Sequence, residues 1–251
     1  IEMAAAAGLP LVGERLHAEQ TTTYGVGELM AHALERGCKR LVVGLGGSAT
    51  NDGGCGAAAA LGAVFRNAAG EAFVPVGATL AEVAEIDLSG LHPALASAEL
   101  VTMCDIDNPM YGPTGASYIF GPQKGADEAM VLELDEGIKN LSRAITEAIG
   151  KDISEVPGTG AAGAMGAGMI AFFGSRLQMG IQTVLDTVKF DEMISDADYI
   201  ITGEGKLDSQ SLRGKVVIGI AERAKKQDKN VIAVVGGADD AEIDKAYEMG
   251  V

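Results

Sequence analysis

"LVVGLGGSATNDGG", residues 41–54, decides the fold. Its short run of branched apolar residues reads as a strand buried on both faces, as in a parallel sheet. The run stops at Gly44, Gly46 and Gly47 and gives way to the small polar residues Ser48, Thr50, Asn51 and Asp52. Glycines after a buried strand let backbone N–H groups approach an anion, and the N-terminus of a following helix adds partial positive charge. Asp52 repels a bare phosphate, so Asn51-Asp52 favours a metal–phosphate site in which a cation lies between. A tight turn with an Asn-Asp helix cap accounts for the same residues, and spacing alone does not separate the two readings.

The pattern recurs along the chain. "GELMAHALERG" (27–37) has helical spacing and stops at Gly37, and "GCGAAAALGAVF" reads as a helix directly after the glycine loop. "LVTMCDIDNP" (100–109) is a second buried strand ending in acids, and residues 126–150 form a long amphipathic helix. "DADYIITGEGKLD" (196–208) repeats the strand-then-glycine pattern; "GKVVIGIAERAKKQ", "NVIAVVGG" and "DDAEIDKAYEMG" follow as helix, strand and helix. This alternation predicts an α/β fold, a mostly parallel sheet with helices on both faces. Right-handed crossovers put strand-to-helix loops at the carboxyl edge, so the loops at 44–54, 104–115, 203–208 and 236–240 are expected to converge there. The segment from Arg66 to Ala98 is the least regular and reads as an excursion or subdomain.

Composition narrows the function classes. A chain of 251 residues holds one large domain or two small ones. Its 35 glycines cluster after apolar runs without a repeat, which fits tight loops. A net charge of −16 with no Lys/Arg stripe argues against nucleic acid and anionic membrane partners. The longest apolar window, Ala161–Phe173, is too short and glycine-rich to span a bilayer. Cys38, Cys55 and Cys104 lack metal-ligand spacing and read as small buried hydrophobes in a reducing, cytoplasmic setting. His17, His32 and His92 share no motif, and without a Ser/His/Asp or Cys/His set acyl transfer is disfavoured.

Further stretches carry candidate chemistry. Asp105 and Asp107 alternate at a strand end and point to opposite faces unless the strand stops between them. Asn108-Pro109 and Gly112-Pro113 mark turns, and Lys124 sits in the rigid–flexible sequence "GPQKG", suited to offsetting phosphate charge. In "ITGEGKLDSQSLRGK" (201–215), Glu204 stands between glycines just past a strand, followed by Asp208 and Lys215. Such acids hold metals or substrate hydroxyls; helix capping by Asp208 or Ser209 is the structural alternative. "PGTGAAGAMGAGM" (157–169) suits close helix packing as well as a ligand. Gly44, Gly46 and Ala49, with Glu71 further on, loosely fit a dinucleotide fingerprint, which leaves an NAD-dependent oxidoreductase as an alternative.

Taken together, "IEMAAAAGL", "TTTYGVGEL" (21–29), "GLGGSATNDGG" (44–54), "CDIDNPMYGPTGASYIFGPQKGA" (104–126), "GAAGAMGAG" (160–168) and "ITGEGKLDSQSLRGK" resemble the glycerate kinase family, in order and over essentially the whole chain. The resemblance implies two α/β domains around a cleft and transfer of the γ-phosphoryl of Mg·ATP to a hydroxyl of D-glycerate, giving 2-phosphoglycerate. It also implies that residues 1–251 are the central α/β region, with parts of a second domain at the chain ends. The family's N-terminal Asp-Ser-Phe-Lys signature and its last strands and helices have no counterpart here. A catalytically silent binding module therefore stands as a further alternative, and a homodimer is left open. Within the implied reaction, Gly46, Gly47, Ser48, Asn51, Asp52, Asn108 and Lys215 are expected to contact substrate or phosphate. Asp105 is the expected base, with Asp107 as second choice; Lys124 offsets transferring charge, and Glu204 or Asp208 holds Mg²⁺.

Overall fold

The apolar stretch forms the first strand, β1 (Arg40–Gly44), with Leu41 and Val43 buried. The computed structural model describes residues 1–208 and 211–251, which divide into two units, Ile1–Gln178 and Met179–Val251.

In the first unit, α1 (Ala4–Ala7), α2 (Leu9–Val12) and α3 (Tyr24–Glu35) precede β1. After it come α4 (Cys55–Ala60), the short strands β2 (Val64–Arg66), β3 (Ala72–Phe73) and β4 (Glu85–Asp87), and then β5 (Glu99–Met103). Helices α5 (Ala116–Phe120), α6 (Glu128–Ile149) and α7 (Ala161–Phe173) lead to β6 (Arg176–Gln178). Strands β1, β5 and β6 form a parallel sheet in that order, with Leu41 opposite Leu100 and Val101 opposite Arg176. The irregular segment after Arg66 completes a small antiparallel sheet, ordered β3-β2-β4. Phe65 of that sheet meets Phe172 of α7 edge-to-face, ring centroids 5.7 Å apart, a favoured aromatic geometry.

Helix α6 shows how sequence sets an element. Asp127 caps it by accepting from Met130 N at 2.9 Å, and Gly150 ends it at φ 71°. Val131, Leu134, Ile138, Leu141 and Ile145 recur at helical spacing and are all buried.

The second unit contains α8 (Gly180–Thr187), α9 (Phe190–Met193), β7 (Tyr199–Glu204), α10 (Val216–Lys225), β8 (Asn230–Val235) and α11 (Asp240–Met249). Strands β7 and β8 pair in parallel from Tyr199↔Asn230 to Glu204↔Val235. Ile200 and Val231 turn inward against Ala221 and Ala224 of α10, whereas Tyr199, Ile201, Ile232 and Val234 face outward and are exposed. Arg223 ties α10 to α8 and α9 through Asp186 at 2.7 Å and Asp191 at 2.6 Å.

The parallel α/β reading holds, but the strands divide between two parallel sheets. The loops after Gly44 and Met103 share the carboxyl edge of one, and those after Glu204 and Val235 share the edge of the other. Among the described residues, no helix is long and apolar enough to cross a membrane.

Candidate active site

The loop after β1 is held from beneath. Gly47 takes φ 70°, and the chain is then pinned by Leu9 N donating to Gly47 O and Ala49 N donating to Ala7 O, each at 2.9 Å. Thr21 Oγ1 donates to Ala49 O at 2.7 Å. Beyond this point Thr50, Asn51 and Asp52 are completely buried.

Asp52 corrects the sequence expectation. Its Oδ2 accepts from Thr23 N at 2.7 Å, Thr23 Oγ1 at 2.9 Å and Gly56 N at 3.3 Å, and its Oδ1 accepts from Gly54 N at 3.1 Å. Thr23 Oγ1 in turn accepts from Ala57 N at 2.9 Å. The carboxylate thus joins the start of α3 to the start of α4, satisfying helix-terminal N–H groups that would otherwise lack acceptors. Burial pushes its pKa up, and the donated hydrogen bonds work against that rise. It acts as a structural clamp and does not line the cavity described next. Asn51 is likewise interior: its Nδ2 donates to Ser117 Oγ at 3.3 Å, and its Oδ1 is buried without a partner among the described residues.

Above this buried layer lies a cavity of about 250 Å³ built from four segments. Leu45 to Ser48 come from the loop after β1, Met103 to Ile106 from the end of β5, and Phe120, Gln123 and Lys124 from α5 and the turn after it. Ala161 and Ala162 at the start of α7 complete the wall. The site therefore brings together Gly46, Gly47, Ser48, Asp105 and Lys124 of the expected residues. Strand β5 ends at Met103, before both acids, so Asp105 and Asp107 lie on an exposed loop rather than on opposite strand faces. Only Asp105 lines the cavity. Asn108 does not; its Nδ2 donates to Thr114 O at 2.8 Å and its carbonyl accepts from Gly160 N at 3.0 Å, so it shapes the loop.

Lys124 is 1% exposed. Its Nζ donates to the carbonyl oxygen of Thr50 at 2.7 Å. Burial lowers its pKa to about 8, with the nearby Asp52 charge opposing the fall.

The glycine-rich stretch at 157–169 resolves into both packing and strain. Gly166 and Gly168 allow backbone contact with Gly158 and Gly53. Ala162, Gly163 and Ala164 take positive φ values of 55°, 66° and 64° at the helix start, a region alanine rarely enters.

In the second unit, Glu204 ends β7, and its Oε2 is buried without a partner among the described residues. Asp208 instead organises the next turn, its Oδ1 accepting from Ser211 N at 3.1 Å; the alternative cap, Ser209, lies outside the described residues. Lys215 stands exposed as the residue before α10. Among the described residues no cluster of three or more His, Cys, Asp or Glu is placed to hold a metal.

Several contributors escaped the sequence reading. Cys104, expected as a buried hydrophobe, is half-buried and lines the cavity beside Asp105. Burial pushes its thiol pKa up, so it is not primed as a nucleophile. Gln123 and Phe120 also line the cavity, and Thr21 to Thr23 hold its loop. "GPQKG" gave a local hint of Gln123; the threonines carry no local signal. Glu71, the acid of the dinucleotide alternative, sits on an exposed hairpin turn, accepting from Asn67 Nδ2 at 2.9 Å.

The strand order and the cavity at the carboxyl edge of a parallel sheet place the chain in the α/β class. The particular family follows from comparison. The profile of the "Glycerate kinase family" matches residues 1–251, and the chain belongs to that family. It is 46% identical over 252 residues to the glycerate 2-kinase of Escherichia coli K12, covering 100% of this chain and 66% of that protein. It is also 46% identical to the glycerate kinase of Bacillus cereus, with the same coverages. The crystal structure of a "putative glycerate kinase 2" from Salmonella typhimurium LT2 superposes with a TM-score of 0.86 at 40% identity, covering 99% of this chain and 70% of that one. The chain thus spans about two thirds of the length of the curated relatives it matches.

Proposed function

We propose that this chain serves a kinase that moves the γ-phosphoryl group of ATP to a hydroxyl of D-glycerate, giving 2-phosphoglycerate. The observation that carries the reading is the joint presence of Asp105 and Lys124 in one small cavity at the carboxyl edge of the parallel sheet. Phosphoryl transfer asks a protein for positioning and charge neutralisation more than for covalent chemistry.

In this reading Asp105 receives the proton of the acceptor hydroxyl. The hydroxyl oxygen forms its new bond to the γ-phosphorus, the bond from that phosphorus to the β,γ-bridging oxygen breaks, and ADP leaves with the electron pair. Gly46, Gly47 and Ser48 present the loop after β1 to the ligand, and the Lys124 ammonium offsets negative charge beside it. Mg²⁺, when bound, neutralises charge on the triphosphate. The ion commonly uses one or two carboxylates together with phosphates and water; by its own chemistry the second unit offers Glu204, whose Oε2 is unpartnered among the described residues. Asp208 fits less well because its carboxylate organises the Ser211 turn. A cytoplasmic site of action belongs to the same proposal and agrees with three free thiols.

The experiment is an assay of the full-length protein with Mg·ATP and D-glycerate, with the product identified by phosphorus NMR. A phosphoester on the 2-hydroxyl is the expected result. ATP turnover independent of D-glycerate overturns the acceptor, and an intact fold that consumes no ATP supports the silent binding module instead.

A further inference from the structure

Two features of the cavity wall are not explained by packing. The first is Lys124. Its ammonium carries three N–H donors in an almost fully buried position, yet among the described residues the Thr50 carbonyl is the one acceptor it reaches. No carboxylate there comes within ion-pair distance. A buried cation without a contacting counter-ion is costly unless an anion joins it.

The second is the turn at the start of α7. Ala161 is helical, and Ala162 and Gly163 follow with left-handed φ, ψ pairs of 55°, 44° and 66°, 44°. A change from right- to left-handed backbone turns successive N–H groups to one side, the geometry of an anion-binding nest. Ala161 N and Ala164 N donate to the carbonyls of Gly158 and Gly160. The amides of Ala162 and Gly163 donate to no acceptor outside α7 among the described residues. Thr50 links the two features: its carbonyl receives Lys124 Nζ, and the same oxygen packs so closely on Gly163 that a Cβ there would collide with it. The ammonium and the strained turn are therefore neighbours, and Ala162 and Lys124 line the same cavity.

We propose that Lys124 and the backbone amides of Ala162 and Gly163 form an oxyanion subsite for the carboxylate of a small hydroxy acid, whose hydroxyl then lies toward Asp105. The assignment rests on the acceptor reading above and extends it to named donors. One observation favours a carboxylate over a phosphate group. Asp105, in the same cavity, attracts a hydroxyl and repels a multiply charged phosphate.

The test is an amide NMR titration of the wild-type protein with D-glycerate, with glycerol as the uncharged analogue and with inorganic phosphate. Saturable shifts of the Ala162 and Gly163 amides with D-glycerate, absent with glycerol and weaker with phosphate, are expected. Lys124→Met is expected to weaken D-glycerate binding at least tenfold, and Lys124→Arg to restore part of the loss. If Lys124→Met does not fold, the wild-type titration decides alone. Saturable D-glycerate shifts elsewhere, with these two amides unmoved, overturn the subsite and leave the acceptor reading standing. Tighter binding of phosphate than of D-glycerate at these amides overturns the carboxylate assignment. An absence of any D-glycerate shift overturns both.

Discussion

Lys124 Nζ lies 2.7 Å from the carbonyl oxygen of Thr50, so the cation of the cavity is tied to the buried layer that Asp52 organises. Loop, clamp and cation are in consequence parts of one support, and changes at each have separable signatures.

The pH dependence of stability reports on Lys124. Its pKa in the fold is about 8, against an ordinary 10.5. Between these values the unfolded chain holds the proton that the folded chain has lost, so stability rises with pH. The full rise is about 3 kcal/mol, and below about pH 8 the lysine is charged in both states and the contribution is constant. Urea unfolding at pH 7.5 and 10 is expected to show this rise in the wild type relative to Lys124→Met. Binding of an anionic acceptor is expected to weaken above about pH 8 as the ammonium is lost.

Asp52→Ala is expected to destabilise the fold by about 3 kcal/mol or more, because it leaves buried donors at Thr23, Gly54 and Gly56 without their acceptor. Whatever folds is expected to keep its nucleotide affinity, and to lose D-glycerate affinity only as the Lys124 ammonium, deprived of the Asp52 charge, loses its proton at lower pH. A variant of native stability with a much raised KM would restore Asp52 to the ligand site.

The left-handed turn gives two opposite expectations. Ala162→Gly relieves a conformation that costs alanine roughly 1–2 kcal/mol, against about 0.5–1 kcal/mol for the added chain freedom, so stability holds or rises by up to about 1.5 kcal/mol. Gly163→Ala drives a methyl into the Thr50 carbonyl at φ 66° and is expected to cost about 3 kcal/mol or more. Thermal unfolding of the pair checks both signs.

Much of this was legible in the sequence, for identifiable reasons. The buried run at 41–44 and the spacing of Val131 to Ile145 follow from periodicity, which local burial enforces. Periodicity does not say which strands pair, so the division into two parallel sheets was hidden. Asp52 misled because a helix clamp and a ligand acid are the same residue type at the same place after a strand. Its decisive partner, Thr23, lies 29 residues away in sequence. The left-handed turn was hidden because two of its residues are alanines, which ordinarily mark helix. That Asp105 and Lys124 belong to one cavity was legible because acids at strand ends and a lysine in a constrained turn are unusual unless something uses them.

The most direct test of the whole account is the steady-state kinetics of Asp105→Asn and Lys124→Met in the full-length protein, with D-glycerate as the varied substrate. Asp105→Asn is expected to lower kcat by about 10²–10⁴ with little change in D-glycerate affinity, and Asp107→Asn to stay near wild type. Lys124→Met is expected to act chiefly by raising the KM for D-glycerate. Near wild-type kcat in Asp105→Asn, or an unchanged KM for D-glycerate in a folded Lys124→Met, would contradict the site as assigned here.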